Sequence, residues 1–397
     1  MLETPDRIEP CFLENPGADI IDVSIRLRET ASTLGKQLHP RTSASLAAVV
    51  RIMNTYYTNL IEGHATRPKE IERVLRDRIS EQDPHRDLLK EAESHMRIQA
   101  LIEEQYDAGT LGDPASPAFI LWLHREFYRD ATDTLLTVSG GGHRFQMVPG
   151  AFRSLPEHDV AVGVHTPPSS PRIAAFMEHF YHRYSFDKLK NSPSQMLQAL
   201  AAAHHRLAYI HPFPDGNGRV CRLMSHAMAL KAGIGCYGLW AISRGLARGL
   251  TAKTDYKMML MATDQPRQGD YDGRGNLSEK ALRAFVVWFL QVCLDQVGFM
   301  DSLFDLKNLQ SRFAHYVKGH PDWKPEAVHI LNYLLRDGDM PRGEASRITG
   351  LSERSARDTL KHLLDAGIIR SETPKSPVFL HFSMDHVEIL FPNLSPA

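Results

Sequence analysis

A mainly α fold, interrupted once by a short β-hairpin and closed by a small unit of helices and strands, is what the 397-residue sequence predicts. Apolar residues recur every three or four positions along most of the chain, which places them on one face of successive helices. Leu46, Val49, Val50, Met53 and Tyr57 form one such stripe, and Leu282, Phe285, Val286, Phe289, Leu290 and Cys293 form another. Clusters of proline and glycine at 109–117, 139–142, 167–171 and 265–276 punctuate these runs and mark loops between helices. Only Gln146 to Pro168 departs from the pattern. There Val148, Phe152, Val160, Val162 and Val164 stand among turn formers, which predicts the hairpin.

The length corresponds to two or three domains of roughly 100–200 residues each. With 43% apolar and 23% charged residues the chain can bury a sizeable core, which excludes a disordered tail. Its 46 Lys and Arg against 47 Asp and Glu give a formal charge of -1, so no global field draws it to nucleic acid or anionic lipid. Cys11, Cys221, Cys236 and Cys293 are far apart and form no CxxC pair, which argues against a zinc ribbon or a disulfide framework and for a reducing compartment. The N-terminus carries acid and proline where a signal peptide would place positive charge. The longest apolar stretch, Ala284 to Leu294, is shorter than the roughly 18–20 residues of a spanning helix. A cytoplasmic protein without a membrane segment is expected. The stripe from Leu282 to Cys293 fits either a core or a homodimer contact.

A break at Lys318–Pro325 precedes the C-terminal unit. Helical patterns near Glu326–Arg336 and Arg342–Thr349 are followed by the turn Gly350-Leu351-Ser352 and a helix from about Glu353 to Ala366. Two extended runs, at Ile368–Arg370 and Val378–Phe382, come next. This is the order of a winged helix. Between Arg342 and Lys375 there are seven Lys or Arg against five Asp or Glu, a weak surplus for a nucleic-acid partner. Arg354, Arg357 and Lys361 nevertheless follow a helical spacing and can face a groove. Dimerisation or docking is the other use of such a unit.

The chemistry-bearing stretch is His211-Pro212-Phe213-Pro214-Asp215-Gly216-Asn217-Gly218-Arg219-Val220-Cys221-Arg222. It lies between helix patterns at Ser194–Ile210 and Asn217–Ala232, the second stopped by Gly233. The prolines force the chain out of one helix and the glycines open the next. Such a loop aims several unpaired N–H groups at one point, with the positive end of the helix dipole behind them. That is an anion cup suited to phosphate. Arg219 and Arg222 share a helix face and can both reach a polyphosphate, although two such arginines are usually a solvated face. Asp215, the only carboxylate in the loop, is placed to hold Mg²⁺. His211 is the one side chain here that titrates near neutrality, and so the candidate general base. The Asn217 amide can donate to a phosphate oxygen, and Phe213 anchors the loop by packing.

This segment resembles the Fic family signature, His-Pro-Phe-x-Asp/Glu-Gly-Asn-Gly-Arg-x-x-Arg, with every specified position filled. The resemblance spans about residues 45–300. It implies a helical Fic core that transfers AMP from ATP to a hydroxyl of a target protein, with the chain itself included among the targets, and releases pyrophosphate. It further implies that His211 deprotonates the hydroxyl and Asp215 holds Mg²⁺. Gly216, Asn217 and Gly218 cradle the phosphates, with Arg219 contacting them and Arg222 meeting the outermost one.

Two further segments extend the likeness. Gly150-Ala151-Phe152-Arg153 followed by Val160, Ala161, Val162 and Gly163 is similar to the family's flap, a hairpin whose edge can pair with an extended peptide. Thr58, Glu62 and Gly63 match its inhibitory pattern, Ser/Thr-x-x-x-Glu-Gly/Asn. A Glu at a helix C-terminus opposes the dipole, and a guanidinium partner offsets that. Pairing with Arg222, at about 1.5–3 kcal/mol, would suppress turnover by one to two orders of magnitude. The implied organisation is an N-terminal helical region with the inhibitory helix (1–110), a catalytic core (111–310) and the winged helix (325–397). Glu62 can also position water for removal of AMP, and the C-terminal unit admits a nucleotide-sensing DNA-binding regulator.

Overall fold

Helix α2 (Pro40–Ile61) carries the first apolar stripe, and its Leu46, Val49, Val50, Met53 and Tyr57 are buried in the computed structural model. The structure describes residues 3–395 apart from 65, 76, 78, 81, 82, 84, 141 and 142. α2 begins at Pro40, whose missing N–H is no loss in a first turn, with the His39 ring accepting from the Arg41 amide. Before it stands α1 (Ala18–Thr33) and after it come α3 (Pro68–Val74), α4 (Arg86–Asp107), α5 (Pro117–Phe127) and the single turn α6 (Asp133–Leu136). The core continues with α7 (Ile173–Tyr184), the turn α8 (Phe186–Leu189), α9 (Pro193–Ile210), α10 (Asn217–Lys231), α11 (Ile242–Arg248), α12 (Asp255–Thr263), α13 (Glu279–Phe304) and α14 (Leu306–Lys318). The fold is mainly helical, with small antiparallel sheets.

α13 packs against α1, α9 and α11. Leu282, Phe285, Val286, Phe289, Leu290 and Cys293 are all fully buried there, so this stripe is core rather than a dimer contact. The helix also extends well beyond the apolar run Ala284–Leu294. At 26 residues the helix is long and apolar enough to cross a membrane by length and composition alone, but its stripe is already covered by protein. A core helix enclosed by three others reads as apolar nearly all round.

The hairpin lies earlier than expected. Strands β1 (Thr137–Gly140) and β2 (His143–Gln146) pair antiparallel, Val138 opposite Phe145. Part of the glycine cluster between them, residues 141–142, lies outside the described residues. The stretch from Met147 to Pro168 holds one 3₁₀ turn and a single bridge between Val162 and His165. Prolines at 149, 156, 167 and 168 remove the donors a longer ladder would need.

The C-terminal unit comprises α15 (Ala327–Asp337), β3 (Asp339–Met340), α16 (Ala345–Thr349), α17 (Glu353–Asp365), β4 (Ile369–Arg370), β5 (Val378–Leu380) and α18 (Met384–Leu390). Its strands are ordered β3-β5-β4 and are antiparallel. β3 and α18 were not predicted. In α17, Ala356, Thr359, Leu360 and Leu363 are buried, while Arg354, Arg357 and Lys361 are exposed on the opposite side.

This unit grips α2 and its neighbour. Arg41, in the first turn of α2, bonds Asp339 at 3.1 Å and Glu372 at 2.7 Å and lies 4.0 Å over the Phe379 ring. Tyr57 Oη donates to the carbonyl of Leu394 at 3.0 Å. Just past α2, Lys69 pairs with Asp385 at 2.8 Å, and Glu72 accepts from the Met384 amide at 3.2 Å.

Candidate active site

α9 ends where His211 turns into the left-handed region at φ 51, and α10 starts where Gly216 does the same at φ 78. The six-residue loop between them is braced from within. Asn217 Nδ2 donates to the carbonyl of Phe213 at 2.8 Å, and its Oδ1 accepts from the Phe213 amide at 2.9 Å. Both ends of the Asn217 amide are thus bonded inside the loop, where the sequence reading had it donate to a phosphate. Phe213 is fully buried and stacks on His124, with ring centroids 3.9 Å apart, so its anchoring part is as expected.

Val220 N–H, bonded to the Gly216 carbonyl at 3.0 Å, closes the first turn of α10. The N–H groups of Asn217, Gly218 and Arg219 precede that turn and have no intrahelical partner. Asp215 is exposed beside them. Its Oδ1 accepts from the Gly216 amide at 2.7 Å and its Oδ2 from the Tyr128 hydroxyl at 3.2 Å. A carboxylate steadied on both oxygens, with lone pairs left toward solvent, fits Mg²⁺, which takes one or two protein oxygens and keeps several waters. Gly216 also yields room, because a Cβ there would lie 2.8 Å from the Tyr128 ring.

The His211 imidazole is partly exposed. Burial first and the Arg153 charge second push it down to about 4, so it is neutral and able to accept a proton at pH 7.

The two arginines separate. Arg222 is buried, with Nε donating to Thr58 Oγ1 at 2.6 Å and Nη2 to Glu62 Oε1 at 2.5 Å. Glu62 caps the C-terminus of α2. Burial pushes its carboxyl up, but Arg222 and then Arg219 outweigh that and hold it below its ordinary range. Arg219 does not face the loop mouth. It is buried, bonds Glu91 of α4 and lies 5.2 Å over the Phe127 ring. A guanidinium entering the core needs a carboxylate there, and Glu91 supplies it.

Gly63, at φ 84, turns the chain away after Glu62. At the expected flap, Ala161, Val162 and Gly163 are exposed and Val160 is half-buried. Val162 and His165 exchange two backbone bonds of 3.0 Å. The structure therefore brings together His211, Asp215, Gly216, Gly218, Arg222, Thr58 and Glu62. It draws Arg219 and the Asn217 side chain inward.

Glu91, Tyr128 and His124 were not anticipated, and Arg153, expected only as part of the flap, also bonds the His211 carbonyl. Glu91 and Tyr128 reach the loop from α4 and the end of α5, and no local spacing connects them to it. Elsewhere, Glu9, Cys11 and His179 bring one ligand atom each within 4.8 Å of one another. Arg183 lies 2.9 Å from Glu9, and burial pushes the Cys11 thiol up to about 12, so this group is an ion-paired cluster.

Residues 114–229 match the Fic/DOC family model, and residues 328–370 match a winged helix-turn-helix DNA-binding model. The chain is 28% identical over 190 residues to a protein adenylyltransferase Fic of Aedes aegypti. That match covers 46% of this chain and 32% of the relative. It is 38% identical over 92 residues to the protein adenylyltransferase Fic of Drosophila mojavensis, covering 23% and 17% of the two chains. The chain thus spans about a third or less of the length of the curated relatives it matches. Two solved structures share the fold. A Fic domain containing signaling protein from Bacteroides thetaiotaomicron aligns at TM-score 0.50 and 16% identity, over 72% of this chain and 97% of that one. A Fic family protein from Desulfovibrio desulfuricans aligns at TM-score 0.50 and 17% identity, over 94% and 99%.

Proposed function

We propose that this chain, which carries a Fic/DOC family domain over residues 114–229, is a protein adenylyltransferase that moves AMP from ATP to a Ser, Thr or Tyr hydroxyl of a target protein and is restrained by its own Glu62. The reading is carried by one observation. An imidazole, an exposed carboxylate and three N–H groups without an intrahelical partner sit on a single loop that Asn217 braces.

In the reaction, His211 takes the proton of the target hydroxyl as its oxygen attacks the α-phosphorus. The bond to the bridging oxygen breaks, and pyrophosphate leaves with that electron pair. The N–H groups at the start of α10 lie where charge grows on the phosphoryl oxygens. Mg²⁺, held by Asp215, would neutralise part of that charge. Arg222 is the residue for the outermost phosphate once Glu62 releases it, while Arg219 serves to tie α10 to α4. The exposed backbone around Val162 is suited to pairing with the target segment. Incubation with radioactive ATP tests this: Glu62→Gly labels itself or a target, and His211→Ala in the same background does not. Absence of transfer from Glu62→Gly with any nucleotide would refute the assignment.

A second reading keeps the site and reverses the traffic. Glu62 stays ionised at neutral pH and its side chain is 30% exposed, so it can orient water against an AMP-modified protein. Loss of AMP from such a protein with wild type but not with Glu62→Gly favours it. The C-terminal unit, with Arg354, Arg357 and Lys361 exposed on α17, is suited to duplex DNA. The expected location is the cytoplasm.

A further inference from the structure

Arg153 is 1% exposed, yet none of its guanidinium donors is idle. Nε donates to the carbonyl of His211 at 2.8 Å. Nη2 donates to the carbonyls of Ile210 at 3.2 Å and Pro168 at 2.5 Å. Nη1 donates to Ser170 Oγ at 2.9 Å and to Asp159 Oδ1 at 3.4 Å. A guanidinium has five N–H groups in a fixed fork, and these acceptors fill all of them. The Arg153 amide adds a bond to the carbonyl of Pro212 at 3.0 Å. Four of the five side-chain acceptors are neutral, so the group is placed for its shape more than as half of an ion pair.

Those acceptors come from two directions. Ile210 and His211 are the last carbonyls of α9, the end at which a helix favours a cation. Asp159, Pro168 and Ser170 flank the turn at Val162 from its C-terminal side and its approach. His211 needs support of this kind, because a left-handed backbone is unfavourable for a residue with a Cβ and persists only where its surroundings impose it.

We propose that Arg153 is a positioning residue for the transfer: one planar group fixes the backbone of His211 to the two legs of the flap, and so sets the spacing between the base and the hydroxyl presented there. The inference rests on the transferase reading and deepens it, by assigning the contact that couples base to target. Lysine cannot replace it, since three donors on one tetrahedral ammonium cannot span carbonyls on both sides.

The test is Arg153→Lys in the full chain carrying Glu62→Gly, so that transfer is not masked. A misplacement of order 1 Å should lower kcat by about 10–100-fold. KM for ATP should stay within about twofold, because the N–H groups and Arg222 are untouched by the substitution. Hydrogen exchange at the Val162 and His165 amides should accelerate at least about tenfold as their bridge loosens. An unchanged kcat, or a kcat loss matched by a rise in KM for ATP and faster exchange throughout the helical core, would overturn the proposal. If Arg153→Lys does not fold, Ser170→Ala decides. It removes one flap-side acceptor and keeps the guanidinium, so a several-fold drop in kcat with KM unchanged supports the coupling, and parental kcat refutes it. Failure of the transferase reading is separately visible: the Glu62→Gly parent would then transfer nothing, while the flap exchange would still report on Arg153.

Discussion

Gly218 and Glu62 occupy adjoining space: a Cβ at position 218 would lie 2.4 Å from Glu62 Oε1 and 3.0 Å from an Arg222 nitrogen. The Glu62 carboxylate therefore rests on the first turn of α10, directly beside the N–H groups that open that helix. It takes up an arginine and crowds the cup in one placement.

Replacing Glu62 by Gly should raise AMP labelling by about 10–100-fold, the scale of a lost charge-assisted hydrogen bond. Labelling with radioactive ATP measures it. Equal labelling in wild type would show that Arg222 is not restrained by this contact.

Asn217 should behave as a brace. Asn217→Ala removes both bonds to Phe213 and should cost about 1–3 kcal/mol in urea unfolding, with a large loss of kcat. Asn217→Asp retains the acceptor for the Phe213 amide and should recover part of the stability. If Asn217→Ala were as stable as the parent, the loop would be held by other contacts.

Tyr128→Phe removes the hydroxyl that donates to Asp215 and leaves the carboxylate in place. The Mg²⁺ concentration for half-maximal labelling should rise several-fold, with activity recovered at saturating metal, and EDTA should abolish labelling in both proteins. A metal dependence identical to the parent's would detach Tyr128 from the ion.

The pH dependence follows from depressed histidines. His211, pushed down to about 4 chiefly by burial, is neutral above that pH, so labelling by Glu62→Gly should stay flat from pH 8 to about 5 and fall only below. A limb near 6.5 would mean an unperturbed base. Burial likewise lowers His95 and His204 to about 3 and His205 to about 4. Unfolded histidines take up protons from about 6.5 downward, so these residues favour the folded state fully above that pH. The advantage is lost progressively as pH falls from there toward 4 and 3. Urea unfolding at pH 7, 6 and 5 should show stability declining across that window.

Much of this was legible because it is local. The His211–Arg222 loop, the stripe of α13 and the α16–turn–α17 order all depend on spacings within a few turns of chain. The Glu62 pattern was legible through a family likeness and not through its own six residues. What escaped was held by contacts between remote segments. Glu91 bonds Arg219 across 128 positions, and Arg153 reaches His211 across 58. The hairpin was placed too late because valines signal strand, whereas the prolines among them decide which amides can pair.

Arg41→Ala should loosen the first turn of α2. The pairs it makes are partly exposed and weak, and its ring contact adds about 0.5–1 kcal/mol. Self-labelling of the otherwise unmodified chain should rise by no more than about fivefold. No rise at all, beside a measurable loss of stability, would show that the core alone holds α2 in place.

α2 runs 22 residues, roughly 33 Å at 1.5 Å per residue. It starts against the wing at Arg41, is tethered in its last turns by Tyr57 to the carbonyl of Leu394, and stops beside the first turn of α10. A stiff rod with three such bearings cannot be shifted at one of them alone. The seat of the C-terminal unit and the placement of Glu62 against Arg222 thereby share a single piece of backbone.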